Sequence, residues 1–293
     1  MRVRARSSIG VVLVGLLPVI AGGPVFAIVL AGLCALAFRE YLSLTAQFSP
    51  GPIAQVAGPI ALVALAATAL RNGGTAWAVA ILAVVTWTPM IANICGHTQT
   101  GGTGVIGWAL AATGIVYVGI PLYAGIAIRR AAGTIDAGWL TSLARAASPG
   151  WDNAPRGLAW VLIILLVAWI GDTFAYLVGR TWGRRKLAPQ ISPGKTIVGA
   201  VGGLVGSATM GALGVALCGL GISSLVGLGI GLILGLVGQT GDLAESWIKR
   251  QVGAKDSGTL IPGHGGVLDR IDTLLFTLPT GWVLAMAIDR WFA

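Results

Sequence analysis

Charge is what this sequence has least of: 10% of its 293 residues are Asp, Glu, Lys or Arg. A soluble domain carries roughly 25%. A soluble chain this apolar would have to bury more surface than its length permits, so a water-soluble globule is excluded. Cysteine is scarce too. Cys34, Cys95 and Cys218 lie far apart, in or beside apolar stretches. An odd, scattered set makes neither a disulfide framework nor a metal-ligand cluster, and each is read as a small buried hydrophobe. Histidine occurs twice, and His97, alone in "NICGHTQTGG", is read as a surface residue. Acidic residues number 10 against 19 basic ones. That excess would suit nucleic acid, but the bases fall in short segments between apolar runs. Such a pattern belongs to membrane topology and to phosphate-bearing ligands, so no nucleic-acid partner is expected.

What the chain has in quantity is apolar length. Nine stretches approach or reach the ~20 residues that cross a bilayer: 8–22, 24–38, 53–70, 75–94, 104–128, 157–179, 196–219, 222–244 and 270–288. The expected fold is an all-α, polytopic integral membrane protein of about nine transmembrane helices. The opening "MRVRARSSIGVVLVGLLPVI" has the charge and apolar pattern of a signal peptide, but a second apolar run follows at once, so it is read as a retained first span. The first two spans are short, and Gly22-Gly23-Pro24 suggests a tight helical hairpin between them. Glycine is abundant, with 45 residues, and dense in "GAVGGLVGSATMGALG". Small residues let membrane helices approach closely, so the seventh span is expected to pack tightly.

Lys and Arg set the orientation. With the N-terminus inside, 13 of the 19 fall on the inner side, and the segment 129–156 holds four of the remaining six. The polar loops after the sixth and eighth spans then face the cytoplasm. Chemistry-capable residues are unevenly spread. Residues 1–150 read as scaffold, lipid access and subunit contact, and 151–293 as the catalytic membrane domain.

Three stretches carry that chemistry. In "GDLAESWIKRQVGAKDSGTLIPGHGGVLDRID" (241–272) the spacing of Asp242, Ser246 and Lys249 places them on one helix face, flanked by Arg250. An acid, a hydroxyl and two cations at a helix end suit a metal-and-phosphate site. Lys255 and Asp256 follow, then a turn with His264, then Asp269, Arg270 and Asp272 opening the last span. Gly265 and Gly266 would let backbone amides approach a phosphate, and a helix beginning near Asp269 would aim its positive end there. In "WIGDTFAYLVGR", Asp172 is an ionisable residue at helical depth, with Tyr176 on its face. In "GRRKLAPQISPGKTIVG", Pro189, Pro193 and Gly194 break helices and imply a loop displaying Ser192, Lys195 and Thr196. It is not a Walker loop, because the first glycine of that pattern is missing. Arg39-Glu40, ending the second span, reads as a local ion pair.

The run Ser246–Asp272, "SWIKRQVGAKDSGTLIPGHGGVLDRID", resembles the signature of the phosphatidate cytidylyltransferase (CDP-diacylglycerol synthase) family, with every fixed position filled. "DTFAYLVGR" and "KLAPQISPGKTIVGAVGG" also resemble that family, so the specific likeness covers roughly 170–273. One position departs: Val198 stands where the family loop usually has Glu. The segment 131–155 also looks longer than usual.

The resemblance implies a membrane enzyme that joins CTP to phosphatidic acid, releasing pyrophosphate, with Asp242 and Asp269 on magnesium and room for a second cation. Ser246, Lys249 and Arg250 would contact phosphates. Ser192, Lys195, His264, Gly265 and Gly266 would meet nucleotide or pyrophosphate, and Asp172 would complete the chamber. A homodimer in the cell (inner) membrane is the implied setting. Two alternatives remain open here. One is another CTP-dependent lipid enzyme, such as an ether-lipid cytidylyltransferase or a lipid-alcohol kinase. The other is an ion-coupled transporter using Asp172, Asp242 and Asp269.

Overall fold

The computed structural model describes residues 13–48, 52–71, 74–95, 103–147, 153–261 and 265–291. His97, His264 and the basic segment 1–12 lie outside them. Helix α1 is described over 13–21. Gly22 turns the chain with φ 65°, and a Pro in the first turn starts α2 (Gly23–Leu44). Any side chain at Gly22 would also run into Arg129, so the expected hairpin depends on glycine there. A 3-10 turn (Ala46–Phe48) follows, then α3 (Pro52–Ala69), α4 (Thr75–Cys95), α5 (Thr103–Arg129) and the short α6 (Gly138–Ala147). The C-terminal half comprises α7 (Pro155–Trp182), β1 (Lys186–Ala188), β2 (Ser192–Thr196), α8 (Ile197–Leu217), α9 (Ser224–Gln251) and α10 (Leu268–Trp291).

Within the described residues, each of the nine apolar stretches falls on one of these helices. Among the described residues, six helices (α2, α5, α7, α8, α9 and α10) are long and apolar enough to cross a membrane. The molecule is a helical membrane protein. One local expectation needs correction. The segment after α7 is not a loop: β1 and β2 pair antiparallel, with Lys186 opposite Thr196 and Ala188 opposite Ser192. The prolines are compatible because Pro189 lies in the turn and Pro193 between the paired positions, where no ladder N–H is needed. Helix α9 outruns the apolar stretch 222–244 and continues to Gln251, as the shared helix face of Asp242, Ser246 and Lys249 requires. At about 1.5 Å per residue its 28 residues span about 42 Å, more than the ~30 Å of a hydrocarbon core. The extra turns carry Ser246, Lys249 and Arg250.

Helices α7, α8 and α9 pack through glycine. A Cβ at Gly211 or Gly231 would strike the backbone of the facing helix, and Ser207 Oγ donates to Val167 O across the α8–α7 contact at 3.2 Å. Trp160, Ile163 and Ile164, in the first half of α7, are fully buried. α10 packs on α9, α7, α5 and α2. Cys34 and Cys218 are buried and free.

The up-and-down order brings the ends of α2, α7 and α9 and the starts of α8 and α10 to one end of the bundle. At the opposite end Arg129, buried, donates to Val19 O, Ile20 O and Ala154 O. There too Arg130 donates to Ala69 O and Arg156 pairs with Asp289 at 2.6 Å.

Candidate active site

A cavity of about 780 Å³ opens at the first of these ends. On α7 its wall is the stripe Asp172, Tyr176 and Arg180, four residues apart along one face. The hairpin and the start of α8 contribute Lys186, Lys195, Thr196 and Gly199, and α9 contributes Gln239, Asp242 and Lys249. Asp256 comes from the following loop, and Asp269, Arg270 and Asp272 from the start of α10. Five carboxylates and five cations therefore line one chamber at the end of an apolar bundle.

Their contacts form two networks. Lys195 Nζ meets Asp242 Oδ2 at 2.7 Å, so the hairpin is tied to α9. Ser246, one turn on, donates a long 3.4 Å bond to Asp242 Oδ1. Deeper in, Lys249 Nζ bridges Asp269 Oδ1 at 2.6 Å and also Glu245 Oε2. Glu245 is 1% exposed, and its carboxylate has no hydrogen-bond partner besides that ion pair among the described residues. Asp269 Oδ2 accepts from Ser257 N (2.9 Å), Ser257 Oγ (3.0 Å) and Gly266 N (2.8 Å). Asp272 Oδ1 accepts from Thr273 N at 2.7 Å. Thr196 caps α8 by accepting from Gly199 N at 3.1 Å, and its position sets the helix N-terminus at the cavity wall.

Not every expected residue lines the chamber. Arg250 spends its guanidinium on Ile191 O (3.1 Å) and Ala254 O (2.8 Å), pinning the hairpin turn and the loop after α9. Lys255 is exposed outside the lining, and Ser192, Gly265 and Gly266 do not line the cavity either. The expectation that Gly266 and the start of α10 offer free amides is corrected. Gly266 N is held by Asp269, and Val267 N and Leu268 N by Glu40, because carboxylates close at hand satisfy those donors first. Val198 is 41% exposed and does not line the cavity.

Among the described residues no cluster of three or more His, Cys, Asp or Glu has metal-binding geometry. Magnesium asks for less, taking one or two carboxylates and keeping waters or substrate phosphates. Asp242 and Asp269 are compatible with that demand. Asp242 Oδ1 has only the long Ser246 bond, and Asp269 Oδ1 accepts from Lys249 alone. Both keep lone pairs.

Residues 2–288 match the sequence profile of the cytidylyltransferase family. The chain belongs to that family. Phosphatidate cytidylyltransferases of Staphylococcus saprophyticus and Staphylococcus aureus are 44% and 41% identical over 138 and 129 residues. Those matches cover 47% and 44% of this chain, and 53% and 50% of the relatives. A third, from Staphylococcus haemolyticus, is 43% identical over 123 residues, 42% of this chain and 47% of the relative. The chain thus matches about half the length of these curated relatives.

In this cytidylyltransferase-family chain two acids not expected at the site, Glu245 and Glu40, contact its residues. Glu245 lies between Asp242 and Ser246, and its depth could have been inferred from Lys249 four residues on. Glu40 is the second. It does not pair with Arg39 but accepts from Val267 N (2.9 Å), Leu268 N (2.8 Å) and Ser257 Oγ (2.9 Å). Its partners lie 217 to 228 residues away, beyond the reach of any local pattern.

Proposed function

We propose that the protein transfers the cytidylyl group of CTP to phosphatidic acid, giving CDP-diacylglycerol and pyrophosphate. The observation that carries this is the chamber in which five cations and five aspartates meet, built on the stretch that bears the family signature. In the reaction a phosphatidate oxygen attacks the α-phosphorus of CTP and pyrophosphate leaves in line. Phosphoryl transfer asks a protein mainly for positioning and charge neutralisation. Lys195, Lys249, Arg180, Lys186 and Arg270 supply cations, and Lys249 stays anchored on buried Glu245 while its other donors turn to phosphate. The attacking phosphate is already ionised at neutral pH, so no general base is assigned.

The five lining carboxylates offset the five cations, which leaves a triphosphate and a lipid phosphate without net compensation. Magnesium on Asp242 and Asp269, when bound, would supply that charge. Asp172 and Asp272 complete the acidic wall, and Ser246 orients Asp242. Arg250 acts by holding the hairpin that presents Lys195.

The same reading has nine crossings of the cell membrane, with the N-terminus inside and the chamber facing the cytoplasm. Arg129, Arg130 and Arg156 count against this orientation only if they are free loop charges. All three instead bond carbonyls or an aspartate at helix ends.

The test is a turnover assay. Purified protein in phosphatidate–detergent micelles with magnesium and labelled CTP is expected to yield a lipid-soluble cytidine product. EDTA abolishes it, and so does Asp269→Asn in a correctly folded sample. Label passing from the γ-phosphate to dioleoylglycerol would instead indicate a lipid-alcohol kinase. Full activity of folded Asp269→Asn would remove the metal assignment.

A further inference from the structure

We propose that Glu40, at the end of α2 in the otherwise apolar N-terminal half, is a positioning residue for Asp269. The inference rests on the functional reading above, in which Asp269 meets the metal. Asp269 is aimed by two backbone sites, Ser257 and Gly266, whose amides bond its Oδ2. Glu40 grips the same two places from behind. It accepts from Ser257 Oγ on one side and from the amides of Val267 and Leu268, next to Gly266, on the other. The loop after α9 and the first turn of α10 are thereby fastened to each other through a third helix.

The surroundings are shaped for this carboxylate. A Cβ at Gly258 would come within 2.8 Å of Glu40 Oε1, and one at Gly266 would collide with both Glu40 and Ser257. Ser257 is buried and has one hydroxyl proton, yet its Oγ lies 2.9 Å from Glu40 Oε2 and 3.0 Å from Asp269 Oδ2. The proton serves one carboxylate at a time. Glu40 therefore affects both where Asp269 sits and how much negative charge its carboxylate keeps for a cation. Carboxylates and amides that orient a ligand from behind commonly matter almost as much as the ligand itself.

The experiment compares wild type, Glu40→Gln and Ser257→Ala as full-length purified protein. Mn²⁺ binding without nucleotide is followed by loss of the free ion's EPR signal, alongside steady-state kinetics and thermal melting. Glu40→Gln is expected to weaken Mn²⁺ binding and lower kcat by about 10-fold or more each. The KM for CTP should move less than about threefold, as for a residue that does not touch nucleotide. Ser257→Ala should shift Mn²⁺ affinity in the same direction, by less.

A folded Glu40→Gln protein with wild-type Mn²⁺ affinity would overturn the proposal. So would losses that only track the folded fraction, since a purely structural cap has no other effect. If Glu40→Gln does not fold, unchanged Mn²⁺ affinity in Ser257→Ala overturns it instead. Wild type that binds Mn²⁺ but makes no CDP-diacylglycerol would defeat the functional reading, and the Mn²⁺ comparison would still decide this one.

Discussion

A carboxylate removed from water needs a cation or a set of donors, and the residues around Lys249 show how this chain meets that need. Glu245 and Asp269 share one ammonium, and Lys249 is itself 8% exposed. Removing the cation would leave buried negative charge uncompensated, at a cost of about 3–5 kcal/mol. Lys249→Met should therefore lower the melting temperature in detergent sharply as well as stop turnover. Adding Glu245→Gln should recover much of the stability and, on the proposed reaction in which Lys249 meets phosphate, none of the activity. Recovery of both would show that Lys249 serves only the fold. Asp172, Lys195, Asp242, Asp269 and Asp272 were legible because an ionisable residue in or beside an apolar run has few reasons to be there. Glu40 was not. Beside Arg39 it looked locally neutralised, and only tertiary structure reveals that its partners are a distant hydroxyl, that of Ser257, and the amides of Val267 and Leu268 at the start of α10.

At the scale of elements, the site is made from helix ends and the body from glycine seams. Gly211 on α8 faces the backbone of Gly227 and Gly231 on α9, while Gly229, on the same helix as those two, has nothing within 4 Å. Gly211→Ala should push the helices apart and destabilise by about 1–3 kcal/mol, as overpacking does. Gly229→Ala should be neutral or stabilising, since alanine favours helix. Equal behaviour of the two variants in a thermal melt would contradict the close seam. The glycine-dense stretch announced this packing in the sequence, but its partner surface was not readable there. Hairpin β1–β2 was missed for a different reason. Its prolines and glycine signal helix termination equally well for a loop or for a short ladder, and the pairing is settled by Lys186 and Thr196 meeting across ten residues. Hydropathy ends the apolar stretch near 244, where the charged turns begin, but the spacing of Asp242, Ser246 and Lys249 already implied the helix that continues to Gln251.

At the scale of the molecule, the two ends of the bundle differ in kind. One gathers a polar chamber, whereas the other spends its arginines on carbonyls and on Asp289. Orientation is checked with a membrane-impermeant maleimide on a background in which the three cysteines are replaced. Lys255→Cys, exposed near the chamber, should label in inside-out vesicles and not in intact cells, and Thr134→Cys, exposed at the far end, the reverse. The opposite pattern would invert the topology. Helices α7 and α9, 28 residues each, outrun the oily layer, and the chamber is lined by their final turns. On the proposed reaction, the bond is made at the height of the lipid headgroups. A two-tailed reactant keeps its chains dissolved in oil throughout, where lifting them into water would cost about 0.8 kcal/mol per methylene. The nucleotide, for its part, never leaves the aqueous side. The protein is in this sense a phase boundary with reagents fixed along it, each reactant arriving through its own solvent and neither crossing into the other's.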